Sequence, residues 1–208
     1  VVHGLKRLAG WEPEEARHHL YKLNPRYHIS HQNFVTIRNK IALNAALQYH
    51  PKALEWMHAI PDNEMTPVLR EWMARTALRR QQWDDVVNVI QKMPPSLQYD
   101  SEWVYWHGRA LAGLGLFQAA QEQWQKIAGG RHYYGFLAAD ALGQPYQMNH
   151  QPTNFAHGNA AKYETFKRVI ELKEVGLEQW ARREWRTVVN RFSANEQQVA
   201  AILAYQWG

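Results

Sequence analysis

The chain has 208 residues, 46% of them hydrophobic, and a formal net charge of +5. That is enough apolar mass for one large or two small packed domains and argues against disorder. The absence of cysteine excludes disulfides and thiolate metal sites without choosing a compartment. The charge excess is mild and spread out: residues 1–50 carry +4, 51–158 carry −1 and 159–208 carry +2. Such a distribution suits an acidic polymer held loosely, and it is not the dense basic stripe of a nucleic-acid binder.

Along the chain, the apolar pattern has the 3.6-residue period of helices, and no stretch alternates with the period of a strand. The opening "VVHGLKRLAG" lacks the long apolar core of a signal peptide, and no run approaches a membrane span. The chain does not begin with Met, so it reads as a fragment or a processed chain. Pro13-Glu14-Glu15 opens a helix with acids in its first turn, and Asn24-Pro25 marks a stop. Pro61 is a second stop, and Thr66-Pro67 pairs an N-cap with Pro at the first helical position. Trp83, Val86, Val87, Ile90 and Met93 form one stripe, closed by Pro94-Pro95. Phe117, Ala120, Trp124 and Ile127 form a second, closed by Gly129-Gly130. Leu177, Ala181, Trp185, Val188 and Phe192 form a third, and Ser193 with Glu196 makes a capping box.

A repeat underlies these stripes. "WMHAIP" ends at Pro61 and "VIQKMP" at Pro94, a step of 94 − 61 = 33, and Met93 corresponds to Ile127, a step of 127 − 93 = 34. Ala77-Leu78 precedes Trp83 as Leu111-Ala112 precedes Phe117. "GLFQAAQEQW" returns as "GLEQWARREW" after an insertion, at 176 − 115 = 61. A period near 34 with paired helices is that of a tetratricopeptide-like α-solenoid. The segment "GQPYQMNHQPTNFAHG", 143–158, shows no stripe and reads as the boundary before a smaller helical unit. The predicted fold is therefore all-α: a right-handed superhelical solenoid of paired helices over residues 1–150, then a small helical linker domain over 151–208.

Within the insertion, "RHYYGFLAADALG" reads as a helix with small residues on one side. Tyr134, Ala138, Ala141 and Leu142 share a face, and Gly135, Ala138, Ala139 and Leu142 make a flatter one beside it. Gly135 within a helix costs about 1 kcal/mol against Ala. That cost makes sense if a bulky neighbouring side chain fills the space. Gly143 is a good residue just past a helix C-terminus. Tyr134, Gly135, Ala138, Ala139 and Gly143 are accordingly assigned to helix packing rather than to a ligand.

Candidates for chemistry are few. Eleven histidines include His18-His19 and His28 with His31, but no HExxH pattern and no cysteine supply a converging metal set, so no metal or other cofactor is expected. Fourteen Glu could offer paired carboxylates, yet most fall in first turns or beside Lys and Arg, as Glu171 and Glu174 flank Lys173. No GxSxG, Walker A or GxGxxG motif in strand context occurs, so no catalytic residue is assigned. Arg70, Arg75, Arg79 and Arg80 crowd one helix. Their ordinary place is a solvated outer face; the alternative is a basic inner wall facing an anionic polymer, with Arg75 and Arg79 on one face and Arg80 turned inward. Ten Trp and ten Tyr either fill helix seams or stack on ligands such as sugars.

At "HYYGFLAADALG" the chain resembles the soluble lytic murein transglycosylases of Gram-negative bacteria. "WEPEEARHHLYKLNP", "EWVYWHGRALAGLG" and the terminal "AILAYQWG" extend the resemblance over essentially the whole chain. It implies a periplasmic protein whose family has a ring-forming superhelical domain, a small linker domain and a lysozyme-like catalytic domain. The family cleaves the β-1,4 bond between N-acetylmuramic acid and N-acetylglucosamine without hydrolysis, leaving a 1,6-anhydromuramoyl end. Its catalytic Glu is followed by Ser, with a Gly-Leu-Met-Gln motif downstream, and neither occurs here. The resemblance thus implies the end of the superhelical domain plus an incomplete linker domain, inactive alone, with peptidoglycan glycan strands as the partner of the parent enzyme. Arg75 and Arg79 are the candidate glycan contacts. A helical-repeat module binding periplasmic protein partners is the alternative. Nucleic acid and a membrane span are not expected. Truncation would expose Val1, Val2 and Leu5 at one end, and Tyr205 and Trp207 at the other.

Overall fold

The computed structural model describes residues 1–150 and 164–207. The described residues are helical, with no strand among them. Two compact units emerge, Val1–Met148 and Asn149–Gly208. The predicted boundary segment straddles this division, and its residues 151–158 lie outside the described residues.

The first unit stacks helices in pairs: α1 (Val2–Trp11) with α2 (Pro13–Tyr27), α3 (His31–Leu47) with α4 (Ala53–His58), α5 (Pro67–Arg79) with α6 (Trp83–Gln91). A short α7 (Pro95–Gln98) leads into α8 (Ser101–Gly113), which pairs with α9 (Phe117–Gln125), and α10 (Tyr133–Leu142) packs on both. The predicted solenoid of paired helices is the observed architecture. Start signals behave as their chemistry dictates. Thr66 accepts a hydrogen bond from the Leu69 N–H at 3.2 Å, and Pro13 and Pro67 occupy first-turn positions where no donor is needed.

A single backbone device closes three of the pairs. The N–H of His50 donates to the Ala45 carbonyl (2.8 Å), Gln82 to Ala77 (3.0 Å) and Leu116 to Leu111 (2.9 Å). Each bond spans a residue in the left-handed region, Tyr49 (φ 59°), Gln81 (φ 56°) and Gly115 (φ 79°). This is the Schellman closure, which satisfies a carbonyl the helix end would otherwise orphan. Gly143 and Gly176 do the same for Gln144→Ala139 (2.9 Å) and Leu177→Leu172 (2.8 Å). The corners recur at 81 − 49 = 32 and 115 − 81 = 34 residues, so the sequence repeat and the turn repeat coincide.

Aromatic rings seated on glycines hold the stack around α8. A methyl group built on Gly113 would lie 2.7 Å from the Trp83 ring, and one on Gly108 would overlap the Trp124 indole. Trp124 also donates its indole N–H to the Tyr105 carbonyl at 3.2 Å. Trp103 is 1% exposed and Trp56 5%. Most of the Trp surplus therefore fills seams, while Trp11 and Trp180 remain exposed. In α10, Gly135, Ala138 and Ala139 are buried, Tyr134 is half-buried and Ala141 is exposed, off the packed face. The neighbour that excludes a side chain at Gly135 is main chain rather than a bulky side chain. A methyl there would meet the Gly130 carbonyl and lie 3.0 Å from the Ile127 oxygen. His132 caps the same helix, its Nδ1 accepting from the Gly135 N–H at 3.1 Å.

Buried polar groups fasten the pairs. Asn39 donates to the carbonyls of Val35 (3.0 Å) and Glu64 (2.9 Å) and accepts from the Thr66 N–H (3.1 Å), tying α3 to the start of α5. His107, on α8, has its Nε2 buried and unpaired. Burial, and after it the positive charge of Lys126, pushes the His107 pKa below the usual imidazole value, opposed by a hydrogen bond with Gln123.

The second unit comprises α11 (Glu164–Glu174), α12 (Glu178–Val189) and α13 (Ala194–Trp207), around Phe166, Ala200, Trp185, Val189 and Phe192. The Phe166 ring lies 5.0 Å from Trp185 and 5.6 Å from Phe192. Glu196 accepts from the Ser193 N–H (2.8 Å), the return half of the capping box, and the Ser193 hydroxyl donates to the same carboxylate (2.7 Å).

Several expectations fail for identifiable reasons. Helix α2 runs through Pro25 to Tyr27, where His28 adopts φ 47°. Proline there forfeits one helical bond, in the last turn, and the helix ends two residues later anyway. Phe117 and Leu177 are exposed (66% and 46%) because both sit at the tight corner where the first helix of the pair has ended. Val1 is exposed, but Leu5 is buried in the α1 seam. Tyr205 is exposed at 89%, and the Trp207 side chain lies outside the described residues.

Replacing Gly135 by Ala is expected to cost about 1–3 kcal/mol, as overpacking against carbonyls does; a urea melt of the variant should show a lower midpoint at unchanged slope. Replacing Gln81 by Gly should act the other way. It relieves an L-residue of the left-handed conformation, worth about 1 kcal/mol, and calorimetry should find a raised Tm despite the added glycine. For His107 the folded pKa lies below the unfolded one, so the fold needs it neutral. Stability is full above the unfolded value of about 6.5 and declines as pH falls through it. The loss in urea midpoint between about pH 7.5 and 5 should shrink in His107→Gln, and an identical loss in both proteins would remove His107 from the acid response.

Candidate functional site

Helices α5, α8 and α10 bring a set of aromatic and charged side chains together. Arg75, one turn after Glu71 on α5, donates to Glu71 (3.3 Å) and to Glu102 of α8 (3.2 Å). Its guanidinium lies 5.7 Å from the Trp72 ring and 4.8 Å from Trp103. One cation thus sits between two carboxylates and two indoles, an arrangement in which each partner fixes the others. Tyr105 adjoins Trp106 (5.3 Å) and Tyr134 (5.8 Å), and Tyr133 adjoins Tyr134 (5.1 Å) with its own ring exposed. Burial, then the negative charge of Glu102, raises the Tyr134 pKa above the ordinary phenol value, with a Trp106 hydrogen bond acting against them. The result is a half-buried aromatic surface with an ionic centre. It can stack on a flat ligand face and exchange hydrogen bonds at its rim.

Arg79 is differently placed. It lies 4.1 Å above the Tyr49 ring, at the corner between α3 and α4, and no carboxylate among the described residues pairs with it. Both side chains are exposed. The four arginines predicted as one cluster therefore have separate fates. Arg70 is buried, donating to the Asp62 carboxylate (3.0 Å) and to the Asp62 carbonyl (3.0 Å). Lys92 reaches the other Asp62 oxygen at 2.8 Å. Lys92, then Arg70, hold the Asp62 carboxyl below the usual range. Arg80 does not turn inward; it is exposed and donates to the carbonyls of His50 (3.4 Å) and Pro51 (2.5 Å). The spacing of arginines on one helix gave no signal for the Asp62 partnership, because its acid lies outside that helix, in the turn Asp62–Glu64.

The histidines are dispersed. His31 pairs with Glu64 (3.3 Å), His50 with Glu14 (3.4 Å) and His58 with Asp85 (3.2 Å). No group of three His, Asp or Glu that could hold a metal occurs among the described residues. No described helix is long and apolar enough to cross a membrane.

Comparison with known proteins gives this geometry a context. Residues 160–208 match the family model of the soluble lytic murein transglycosylase L domain. The soluble lytic murein transglycosylase of Escherichia coli is 29% identical over 122 residues, which is 57% of this chain and 19% of that protein. The Salmonella typhimurium enzyme of the same name is 28% identical over 118 residues, 56% of this chain and 18% of that one. Among solved structures, an inactive mutant of the lytic transglycosylase Slt from Pseudomonas aeruginosa is 32% identical, with a TM-score of 0.77 over 98% of this chain and 34% of its own. The 70 kDa soluble lytic transglycosylase from E. coli is 22% identical with a TM-score of 0.79, over 97% of this chain and 32% of its own, a likeness that shows the fold. The chain thus spans about a fifth of its curated relatives and a third of the solved ones. Its similarity to the helical region of the soluble lytic transglycosylases, first legible in "HYYGFLAADALG", runs through nearly every residue.

Proposed function

We propose that this chain is the non-catalytic helical portion of a periplasmic lytic transglycosylase, Val1–Met148 belonging to its superhelical domain and the C-terminal helices to its linker domain. The observation that carries the reading is the L-domain match at 160–208 joined to a fold that follows a 32%-identical transglycosylase over 98% of the chain. The parent enzyme would cleave the β-1,4 bond between N-acetylmuramic acid and N-acetylglucosamine and release 1,6-anhydromuramoyl ends. The helical portion would position or restrict glycan strands for it.

The surface chemistry supports this division of labour. An aromatic face with a saturated ionic centre can bind and orient a sugar polymer, and it contributes no group to bond cleavage. The glycan contacts are assigned to the edge formed by Arg79 and Tyr49 and to the neighbouring rim of Arg75. Arg79, lacking a carboxylate, carries the attraction for an anionic strand; Arg75, held by Glu71 and Glu102, fixes the shape of the aromatic surface.

The test is retention on purified sacculi together with mass spectrometry of the soluble fraction. The chain should be retained weakly at about 0.01 M ionic strength and lost at about 0.15 M, where charges are screened within about 8 Å. It should release no anhydromuropeptides. Arg79→Ala should abolish the salt-sensitive part of retention with an unchanged circular-dichroism spectrum. Equal retention of the variant and the parent chain removes Arg79 from the glycan surface, and robust anhydromuropeptide release by the pure chain overturns the non-catalytic assignment.

A further inference from the structure

Helix α4, the turn 61–65 and one face each of α5 and α6 enclose a cleft of about 340 Å³. That volume is of the order of small-ligand sites. The floor is apolar and buried: Met57, Ile60, Met73 and Val89 are each no more than 5% exposed. Met65 flanks it, half-buried. Three methionines on one cleft make a lining that adapts to an irregular apolar body.

The rim carries two opposite charges. Asp62 is shared by Arg70 at 3.0 Å, whose side chain is 8% exposed, and by Lys92 at 2.8 Å. Two cations on one carboxylate leave this pole positive. Asp85 pairs with His58 at 3.2 Å, and a neutral imidazole leaves that pole negative. Lys92 turns to Asp62 rather than to Asp85, so the two poles stay apart. Between them stands Asn88. Asp85, Asn88 and Lys92 follow at steps of three and four residues, which puts an acceptor, an amide and a donor in line along α6 and its cap. The Asn88 side chain is exposed and bonds to no described residue, and Lys92 keeps donors beyond the one given to Asp62.

We infer that this cleft binds a small zwitterion with an apolar body, the chemistry of an apolar dipeptide with both ends free. Its ammonium goes to Asp85, its carboxylate to Lys92 and the Asn88 amide, and its side chains to the methionine floor. Asp85 and Lys92 stand two turns apart, roughly 10 Å along the helix axis. Two extended residues span up to about 7 Å, which leaves a hydrogen bond at each end; a single amino acid falls short. A simple anion meets Asp85 and a simple cation meets the Arg70–Lys92 pole, so each is the poorer ligand. The site shares no residue with the Arg75–Tyr134 surface or the Tyr49–Arg79 edge and does not depend on the glycan reading.

The experiment is a 1H–13C titration of the methionine methyl signals of the whole 208-residue chain, at about pH 8, above the ordinary imidazole range. The probes are alanyl-valine, its N-acetyl form, which is an anion, and its C-terminal amide, which is a cation. The free dipeptide should shift Met57, Met65 and Met73 saturably, with a Kd of about 1 mM or tighter, and leave Met148 in place. Each blocked form should bind about tenfold more weakly or worse. Asp85→Asn should abolish the advantage of the free dipeptide over the N-acetyl form, and Lys92→Gln its advantage over the amide. Asn88→Leu fills the mouth at a side chain that the described fold does not use, so it tests the site even where a rim-charge variant fails to fold; it should abolish the shifts. Absence of saturable shifts in the parent chain overturns the site. A blocked form that binds as tightly as the free dipeptide overturns the zwitterion, and full affinity in Asn88→Leu places the ligand elsewhere.

Discussion

Three of the helix pairs turn on one backbone hydrogen bond, from the amide that follows the corner to the carbonyl five residues before it, whereas the α1–α2 corner closes with a bond from the Glu12 N–H to the Leu8 carbonyl. The five-residue bond can form only where the residue between them takes positive φ. Tyr49, Gln81 and Gly115 all do so, at the same point of successive pairs. Because the geometry at the corner is fixed, the direction in which the second helix returns is fixed too, and the same apolar positions meet in each pair. Ile60, Met93 and Ile127, one repeat apart, end up buried or half-buried for this reason. That the corner tolerates tyrosine and glutamine means that packing along the following helix outweighs roughly 1–2 kcal/mol of backbone strain.

Given fixed corners, helix separation is decided by what stands between the axes. Around α8 the answer is an indole against a glycine on either side, Trp83 on Gly113 and Trp124 on Gly108. A large flat ring fills the gap without leaving a void, and the glycine lets it lie down on the backbone. At α10 the approach is closer, main chain against Gly135. The aromatic surface shared by α5, α8 and α10 follows from the same packing. The Tyr105 ring lies between Trp124 of α9 (6.5 Å) and Tyr134 of α10 (5.8 Å), with Trp106 beside it (5.3 Å). The aromatic surface is thus the outer edge of the seam itself.

Local chemistry explains which parts of this were legible in the sequence. Thr66-Pro67, Pro13 and the repeat of apolar helix ends act within a few residues of themselves, and all three could be read directly. The fold followed, because stacking pairs with a period near 34 admits few alternatives. What escaped depends on partners distant in sequence. Arg70 looked like its neighbours Arg75 and Arg79, yet Asp62 and Lys92 make it a buried fastener. Asn39 was unremarkable until Glu64 and Thr66 surrounded it. The corners at Tyr49 and Gln81 were invisible because only glycine advertises positive φ. At Gly135 the neighbour is a carbonyl rather than the bulky side chain expected, and a carbonyl leaves no mark in a side-chain pattern.

Charge is the quantity that the sequence represents least well. A net charge of +5 suggests a modest basic surface, but many of the cations are engaged. Arg70 and Lys92 share Asp62, Arg75 is held by Glu71 and Glu102, and Arg80 caps backbone carbonyls. The field available to a polyanion is therefore set by the arginines without acids, and among those lining aromatic rings these include Arg17 and Arg79. Stacking on rings leaves a guanidinium's in-plane donors open while removing part of its hydration. Each such arginine attracts an anion more specifically than a solvated lysine, and more weakly at long range than a basic stripe. On the proposed glycan reading, such a surface would discriminate by where an anionic group can sit rather than by how much charge it meets.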